Sequence, residues 1–366
     1  MASSNNQLRG KVPPIPGTKP SIKNAQLLVS TGIPSLDNII GGGLPIGSLL
    51  LIEEDTYNNY ASVMFKYFLA EGAVSTHALF VASQDTKPQQ LITKLPAVVN
   101  DTSTTPVQSS NRSDEKMQIA WRYHNMKITD SSIKSGQTFG HFYDLTKDMD
   151  TDMIDNTDVT YWDGDDLSFN TTGFKNNCYV DLLKKIQLKL KQGGFCVTDD
   201  IKKRNILRIG IQSLGSRLWL CDTEEDTQND LLKFLYCFRS LLRSSYAVAA
   251  ITVPVKNFDN IGGVIGRMEH LSDTAISLES FIGSPKEANP IFRDYHGLLH
   301  VKKLSAINTL AAHCPESIDL AFKMRRKKFV IEVLHLPPEL GDAHREQDDS
   351  SSVGCGSGGG TSKLDF

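Results

Sequence analysis

The sequence predicts an α/β fold: a mostly parallel central sheet flanked by helices, with antiparallel strands at the C-terminal end. Three observations predict it. Short continuous apolar runs, residues 48–52 and Ala247–Val253, fit strands buried on both faces. They alternate with segments whose apolar residues recur at helical spacing, the pattern of βαβ units. After residue 274 strand-like runs follow one another, and the last two read as a hairpin.

Composition sets the limits. A chain of 366 residues holds one large α/β domain or two small ones. Hydrophobic content of 40% and charged content of 22% are those of a soluble globular protein. The net charge of −3 offers no overall basic field, so any nucleic-acid contact has to be local. No apolar run approaches the roughly 20 residues of a membrane span. Arg9 and Lys11 precede no apolar stretch of the kind a secretory signal needs, and no membrane partner is expected. The six cysteines (Cys178, Cys196, Cys221, Cys237, Cys314 and Cys355) include no C-x-x-C pair. Reduced, mostly buried thiols in a cytoplasmic or nuclear protein are expected.

Taken in order, residues 1–25 are Ser-, Asn- and Pro-rich and read as a disordered arm. Residues 26–337 read as one domain. Its first strand, 48–52, is followed by a tight loop and a helix with Val63, Met64, Tyr67 and Phe68 on one face, which Gly72 ends. A strand over 77–82 comes next, then a helix capped by Asp85 or Thr86 with Pro88 in its first turn. The region of about 100–175 reads as an insertion elaborating the main sheet. It holds a Ser-rich loop, a denser piece at 115–123, an ordered piece at 139–145 and an acidic stretch at 148–166.

The alternation resumes at Tyr179. Val180, Leu183, Ile186 and Leu190 form a helical stripe closed by Gly193-Gly194. A strand over 205–211 follows, then a helix capped by Asp226 or Thr227 with Leu231, Leu235, Phe238 and Leu242 inward. The strand Ala247–Val253 leads into a Gly-rich loop over 254–270. Further strands are expected at 274–278, 298–304, 319–324 and 328–334, with the hairpin turning at Arg325-Arg326-Lys327. Residues 338–366 read as a flexible tail.

The stretch from Thr31 to Gly72 organises the chain. A turn-rich lead, a short buried strand, a tight loop and a helix are the layout that opens a P-loop NTPase. The lead, Thr31-Gly32-Ile33-Pro34-Ser35-Leu36-Asp37 followed by Gly41-Gly42-Gly43-Leu44-Pro45-Ile46-Gly47, resembles RecA-type ATPases. The loop, however, does not carry the chemistry. A working P-loop reads G-x-x-x-x-G-K-[ST], with backbone amides and a Lys on the phosphates and a hydroxyl on Mg²⁺. Here Glu54 and Asn59 stand for the glycines, Tyr60 for the Lys and Ala61 for the hydroxyl residue. Glu53, Glu54 and Asp55 would repel an anion. Two like charges near 4 Å cost on the order of 1 kcal/mol in water and about 4 at an effective dielectric of 20.

The second motif fails as well. The Walker B strand should end in an Asp that orients Mg²⁺. The strand Leu207–Ile211 ends in Gln212 and Ser213, and a neutral amide is a poor Mg²⁺ ligand. Glu224, Glu225 and Asp226 read as a solvated helix start. His296 and His300 are the one i, i+4 pair among nine histidines. On a strand they lie about 13 Å apart, too far to share an ion, so no metal is expected. No H-E-x-x-H or G-x-S-x-G is present, and no catalytic residue is assigned.

Two basic features remain. The 254–270 loop carries Lys256 and Arg267, and in RecA-type rings the equivalent loop faces the lumen and touches nucleic acid. The densest cluster is Lys323, Arg325, Arg326, Lys327 and Lys328, either a solvated turn or an RNA or partner contact.

Segments 30–37, 41–47, 116–123, 208–216, 269–274, 278–284, 294–298, 334–338 and the ending Lys363-Leu364-Asp365-Phe366 together resemble the PAXNEB family of Elongator subunits. The resemblance implies a RecA-like fold without intact ATPase motifs and no cofactor of its own. It implies a hetero-hexameric ring with the fifth and sixth Elongator subunits, two copies of each, that binds tRNA and joins the larger Elongator subunits. The parent complex places carboxymethyl-type groups on carbon 5 of wobble uridines, with the chemistry in another subunit, in cytoplasm and nucleus. Two other readings stand beside this one. One is an ATPase whose nucleotide site is composite across subunit interfaces. The other is a recombinase-like DNA filament protein, against which the missing Lys and the charge of −3 both count.

Overall fold

The structure is a computed structural model that describes residues 15–21, 24, 26–99, 139–167, 173–201, 203–258, 263–309, 313–325 and 327–335. Its strands are β1 (Thr18–Pro20), β2 (Leu27–Val29), β3 (Leu44–Pro45), β4 (Leu49–Glu53), β5 (Ala78–Ala82), β6 (Pro96–Val98) and β7 (Tyr143–Asp148). They continue with β8 (Val159–Trp162), β9 (Leu207–Ile211), β10 (Ala247–Val253), β11 (Thr274–Ser280), β12 (Gly297–Lys303), β13 (Leu320–Arg325) and β14 (Lys328–Val333). Its helices are α1 (Pro34–Ile39), α2 (Asn59–Val74), α3 (Pro88–Thr93), α4 (Thr151–Asp155), α5 (Asn177–Gln192), α6 (Glu224–Arg243) and α7 (Val264–Leu271).

Nine strands form one sheet in the order β14-β13-β12-β11-β4-β10-β9-β5-β8. The run from β11 to β8 is parallel, and β12, β13 and β14 continue it antiparallel. The chain leaves β4 through α2 and re-enters at β5, with β10 and β9 filling the gap. This is the expected α/β, RecA-like layout, including the antiparallel C-terminal strands. The central strands β4, β5, β9 and β10 are buried at every position, which is why they read as unbroken apolar runs.

Two cores result, one on each face. Val29, Leu36, Leu50, Ile52, Phe65, Phe68 and Val81 pack together on the α2 side. Leu49, Ile209, Ile251, Tyr179, Phe234, Phe238 and Met268 pack on the side of α5, α6 and α7. In the lead, the Asp37 carboxylate accepts from the Thr31 amide and hydroxyl, both at 2.8 Å, and from the Ser30 hydroxyl. Burial pushes Asp37 up to about 6, against the pull of those bonds. Gly32, at φ +85, lies under α2, where a Cβ would meet the Tyr67 carbonyl oxygen at 2.3 Å.

Several local expectations change. Gly72 does not end its helix. It lies inside α2, where a Cβ would meet Leu79 and Arg208 at 2.6 and 2.7 Å, so it makes room for a buried arginine. Lys87, not Asp85 or Thr86, precedes α3, without a side-chain cap; the Asp85 carboxylate accepts from the Ser216 hydroxyl instead. The cap of α6 is Thr223, whose side chain accepts from the Asp226 amide; Glu224, Glu225 and Asp226 form the first turn, as a solvated start predicts.

Thr18–Pro20, within the stretch read as an arm, forms β1 and joins β2 and β3 in a three-stranded antiparallel sheet. Residues 1–14, the whole 100–138 stretch and the 338–366 tail lie outside the described residues. Within the region read as an insertion, β7 pairs with β6, and β8 becomes an edge strand of the main sheet. The second half of the Gly-rich 254–270 loop is the helix α7. The cysteines are not mostly buried: Cys178, Cys196 and Cys221 are half-buried, and Cys237 and Cys314 are exposed. Among the described residues no helix is long and apolar enough to cross a membrane.

Candidate functional site

β4 hands the chain on toward β5 on one side, while its neighbour β10 hands it back toward β11 on the other. Chain directions diverge between these two strands, and in an open α/β sheet the crevice beyond the strand ends at such a point is where ligands bind. A cleft of about 480 Å³ lies there, lined by Glu54, Asp55, Thr56, Tyr57, Asn58, Asp85, Ser213, Ser216, Arg217 and residues 254–257.

The residues that the sequence aligns with a phosphate loop are engaged with one another. Asp55 is buried and turns its carboxylate onto the N-terminus of α2. One oxygen accepts from the Tyr60 and Ala61 amides, both at 3.0 Å, and the other from the Asn59 amide at 3.1 Å. These are the first amides of a 16-residue helix, which have no partners within the helix and would otherwise point at a bound anion. The protein supplies the anion from its own chain.

Glu54 is tied down on the other side. One of its oxygens accepts from the Ser213 hydroxyl at 2.8 Å and the Thr252 hydroxyl at 2.7 Å. Burial raises its pKa, against the pull of the two hydroxyls. Asn58 donates to the Ser213 oxygen at 3.2 Å. Asn58 and Ser213 both adopt left-handed backbone, with φ of 54° and 49°. Such conformations in residues other than glycine cost of order 1 kcal/mol or more and cluster at functional sites.

Tyr60, read from the sequence as standing for the phosphate-loop lysine, points away from the cleft. It is 5% exposed, with its ring 4.6 Å from that of Phe322, 6.4 Å from Phe329 and 6.2 Å from His296. It belongs to the seam between α2 and the antiparallel strands, and burial raises its hydroxyl pKa. Ala61 is buried without a hydroxyl to offer. The structure thus brings Glu54 together with Ser213, and Asn59 and Ala61 together with Asp55, while Tyr60 leaves the site. Gln212 is buried and accepts from the Ser83 hydroxyl at 3.2 Å. Glu53 faces β11 and α7 rather than the cleft; burial and the neighbouring Glu269 push it up to about 7, against the Ser277 hydrogen bond.

The basic candidates separate. Lys256 is exposed on the 3-10 turn Val255–Phe258 at the rim of the cleft. Arg267 is exposed on α7. Arg325 ends β13, 69% exposed and 3.9 Å from Glu332, and Arg326 lies outside the described residues. Lys323 is buried against Glu332, Lys327 lies 3.4 Å from Asp144, and Lys328 sits over the Phe142 ring at 4.9 Å. Much of the densest basic run is therefore neutralised within the chain. His296 accepts from the Met324 amide at 3.3 Å, and His300 lies 3.1 Å from Glu279. Among the described residues no His, Cys, Asp or Glu cluster fits a metal.

Sequence reasoning missed two things here. It counted Asp55 as a repelling charge and not as the acceptor that saturates the helix amides; an Asp close before a helix is the signal that could have found it. It also missed Thr252, which holds Glu54 from within β10, and Asp85 and Ser216, which only the fold brings to the cleft.

The family model described as PAXNEB protein matches residues 11–366. The chain is 44% identical to Elongator complex protein 4 of Xenopus laevis, covering all of this chain and 95% of that protein. It is 41% identical to the protein of the same name in Homo sapiens, covering all of this chain and 92% of the relative. The Saccharomyces cerevisiae protein of that name is 23% identical over 92% of this chain and 80% of its own length. Among solved structures, a KaiC-like protein of Pyrococcus horikoshii aligns over 83% of this chain and 98% of its own, with 14% identity and a TM-score of 0.47.

Proposed function

The chain belongs to the PAXNEB protein family, and from that premise we propose that it is a subunit of an Elongator complex, acting as a non-catalytic RecA-like scaffold. In this reading one domain of about 26–337 joins the fifth and sixth Elongator subunits in a hetero-hexameric ring. The ring binds tRNA, and it supports carbon-5 modification of wobble uridines, in cytoplasm and nucleus. Membership of the complex is supported by relatives that bear the Elongator name and are matched over 95% and 92% of their length.

The observation that carries the non-catalytic role is the Asp55 carboxylate on the amides of Asn59, Tyr60 and Ala61. A nucleotide phosphate would need those same donors, would have to displace a buried carboxylate, and would find no lysine. A composite ATPase is the second reading. The open cleft, with Lys256 and Arg217 at its rim, is what favours it.

Two measurements decide. Calorimetric titration of the isolated chain with Mg-ATP should show no micromolar binding. Affinity purification from cells should recover the fifth and sixth subunits with the chain. A micromolar constant that Glu54→Arg alters would overturn the first claim. A stable monomer whose mass is unchanged by those partners would overturn the second.

A further inference from the structure

The nine-stranded sheet ends at β8, four positions from β4. Among the described residues β8 pairs only with β5: the Leu79 amide donates to the Asp158 carbonyl at 2.8 Å and the Ser83 amide to the Trp162 carbonyl at 3.0 Å. Asp158, Thr160 and Trp162 therefore turn their backbone groups inward. The alternation of a strand turns those of Val159 and Tyr161 outward. Among the described residues no strand covers that outer edge.

The sequence around the edge is one-signed, although Lys189 and Lys185 of α5 reach the Asp158 carboxylate and the Asp166 carbonyl, at 2.7 and 2.9 Å. From residue 148 to residue 166 the chain carries aspartates throughout and no lysine or arginine. Asp158 is paired, 2.7 Å from Lys189. Asp155, Asp165 and Asp166 have exposed side chains. Met153, Tyr161 and Leu167 are exposed apolar or aromatic side chains in the same stretch, at 38, 37 and 45%.

From this we propose that the β8 edge is a docking site for an extended, lysine- or arginine-rich protein segment, which adds a tenth strand to the sheet. Backbone hydrogen bonds to Val159 and Tyr161 would supply the pairing. The aspartates would select a basic sequence, and alternate apolar side chains would cover Tyr161 and its neighbours. The opposing reading is that the aspartates guard an edge against any pairing. That reading predicts no binding at all.

The test uses the full chain and a capped octapeptide of alternating lysine and valine. Its controls are the glutamate–valine counterpart and a lysine–valine peptide N-methylated at alternate residues. Fluorescence anisotropy should show salt-dependent binding of the first peptide only. The variant Asp163→Asn/Asp165→Asn/Asp166→Asn should weaken it by roughly tenfold. Hydrogen exchange should slow at the Val159 and Tyr161 amides when the peptide is added. Failure to bind would establish the guarding role and overturn the proposal. So would binding that survives N-methylation, or that leaves those two amides unchanged. Amides already protected in the free chain would show that its own residues cover the edge, and would overturn it too.

Discussion

The Tyr60 amide donates to the Asp55 carboxylate at 3.0 Å, while the Tyr60 ring lies in the core 4.6 Å from Phe322. One residue thus has its backbone on an internal acceptor and its side chain in the seam between α2 and β13. Asp55→Ala removes the acceptor for three helix amides, and the loss of such a cap costs about 1–2 kcal/mol. Its midpoint in urea should fall without a change in slope, and it should still show no ATP binding, because the lysine remains absent. An unchanged midpoint would contradict the capping role.

Tyr60→Lys is expected to do harm rather than restore a nucleotide site. The new ammonium would start among the rings of Phe322, Phe329 and His296, where Asp55 and Glu287 act on the Tyr60 hydroxyl but neither is hydrogen-bonded to it, and burying a charge without a bonded partner costs several kcal/mol. Tyr60→Phe keeps the packing and should stay within about 1 kcal/mol of the parent. Thermal unfolding of the two variants side by side checks this. Equal stability of the two would place the side chain outside the core.

The Arg208 guanidinium, fully buried in β9, donates to His77 Nδ1 at 3.0 Å and to the Ser30 and Phe68 carbonyls at 2.9 and 3.1 Å. His77 Nε2 faces the Pro16 carbonyl at 2.8 Å, so the ring is neutral with its proton on that nitrogen. Burial first, and then Arg208, push its pKa from 6.5 down to about 3. The unfolded chain therefore binds more protons between those two values. Stability from this site is fully present above pH 6.5 and is lost as pH falls toward 3. Asp37, raised to about 6, and Glu53, raised to about 7, slope the opposite way, so wild type alone is not diagnostic. The difference between wild type and His77→Gln isolates the histidine. It should shrink by up to about 1.4 kcal/mol per pH unit on acidification within that window and be flat above about pH 7. A difference independent of pH would mean that His77 titrates normally.

How much of this was legible follows from where the information sits. β4, β5, β9 and β10 were readable because burial on both faces leaves an apolar signature. Gly72 was misread because a glycine making room for Arg208 and one ending a helix look alike until the partner strand is known. β8 lies in an acidic run whose single buried position, Trp162, gives too little pattern to betray a sheet edge. That no lysine stands at position 60 could be read from the sequence directly. The role of Asp55 could not, since it depends on backbone amides. Nor could the hydrogen bonds of Glu54 to Ser213 and Thr252, which join the ends of three different strands.

If Lys256 and Arg267 touch RNA, they do so from different elements, the turn after β10 and the exposed side of α7. Replacing both with Ala in the assembled ring should weaken tRNA binding. It should flatten the salt dependence by up to about 2 units, roughly one for each phosphate no longer neutralised. An assembled ring with an unchanged slope would place the RNA elsewhere. The exposed Arg325 is then the next residue to replace, because Lys323 and Lys327 are already held by Glu332 and Asp144.

In the cell, a scaffold for tRNA modification should matter through its fold and its assembly, not through the cleft. Deleting the chain should lower carboxymethyl-type wobble uridines, read by mass spectrometry of digested tRNA. Ile209→Asp places a carboxylate in a strand that is buried at every position. An unpaired buried charge costs several kcal/mol, a large share of a usual stability of roughly 5–15, so this variant should match the deletion. Gln212→Asp supplies the Asp that the sequence reading expects at the end of a Walker B strand, leaves the Tyr60 seam untouched and should bring no gain. Its carboxylate would lie beside the Ser83 hydroxyl, and Asp55 would still hold the helix amides. Tyr60→Lys/Gln212→Asp should likewise bring no gain and should fall below the parent through the damage at Tyr60. A rise in modification above the parent in either variant would mean that the cleft takes part in the reaction. Normal modification in the complete deletion would overturn the functional assignment itself.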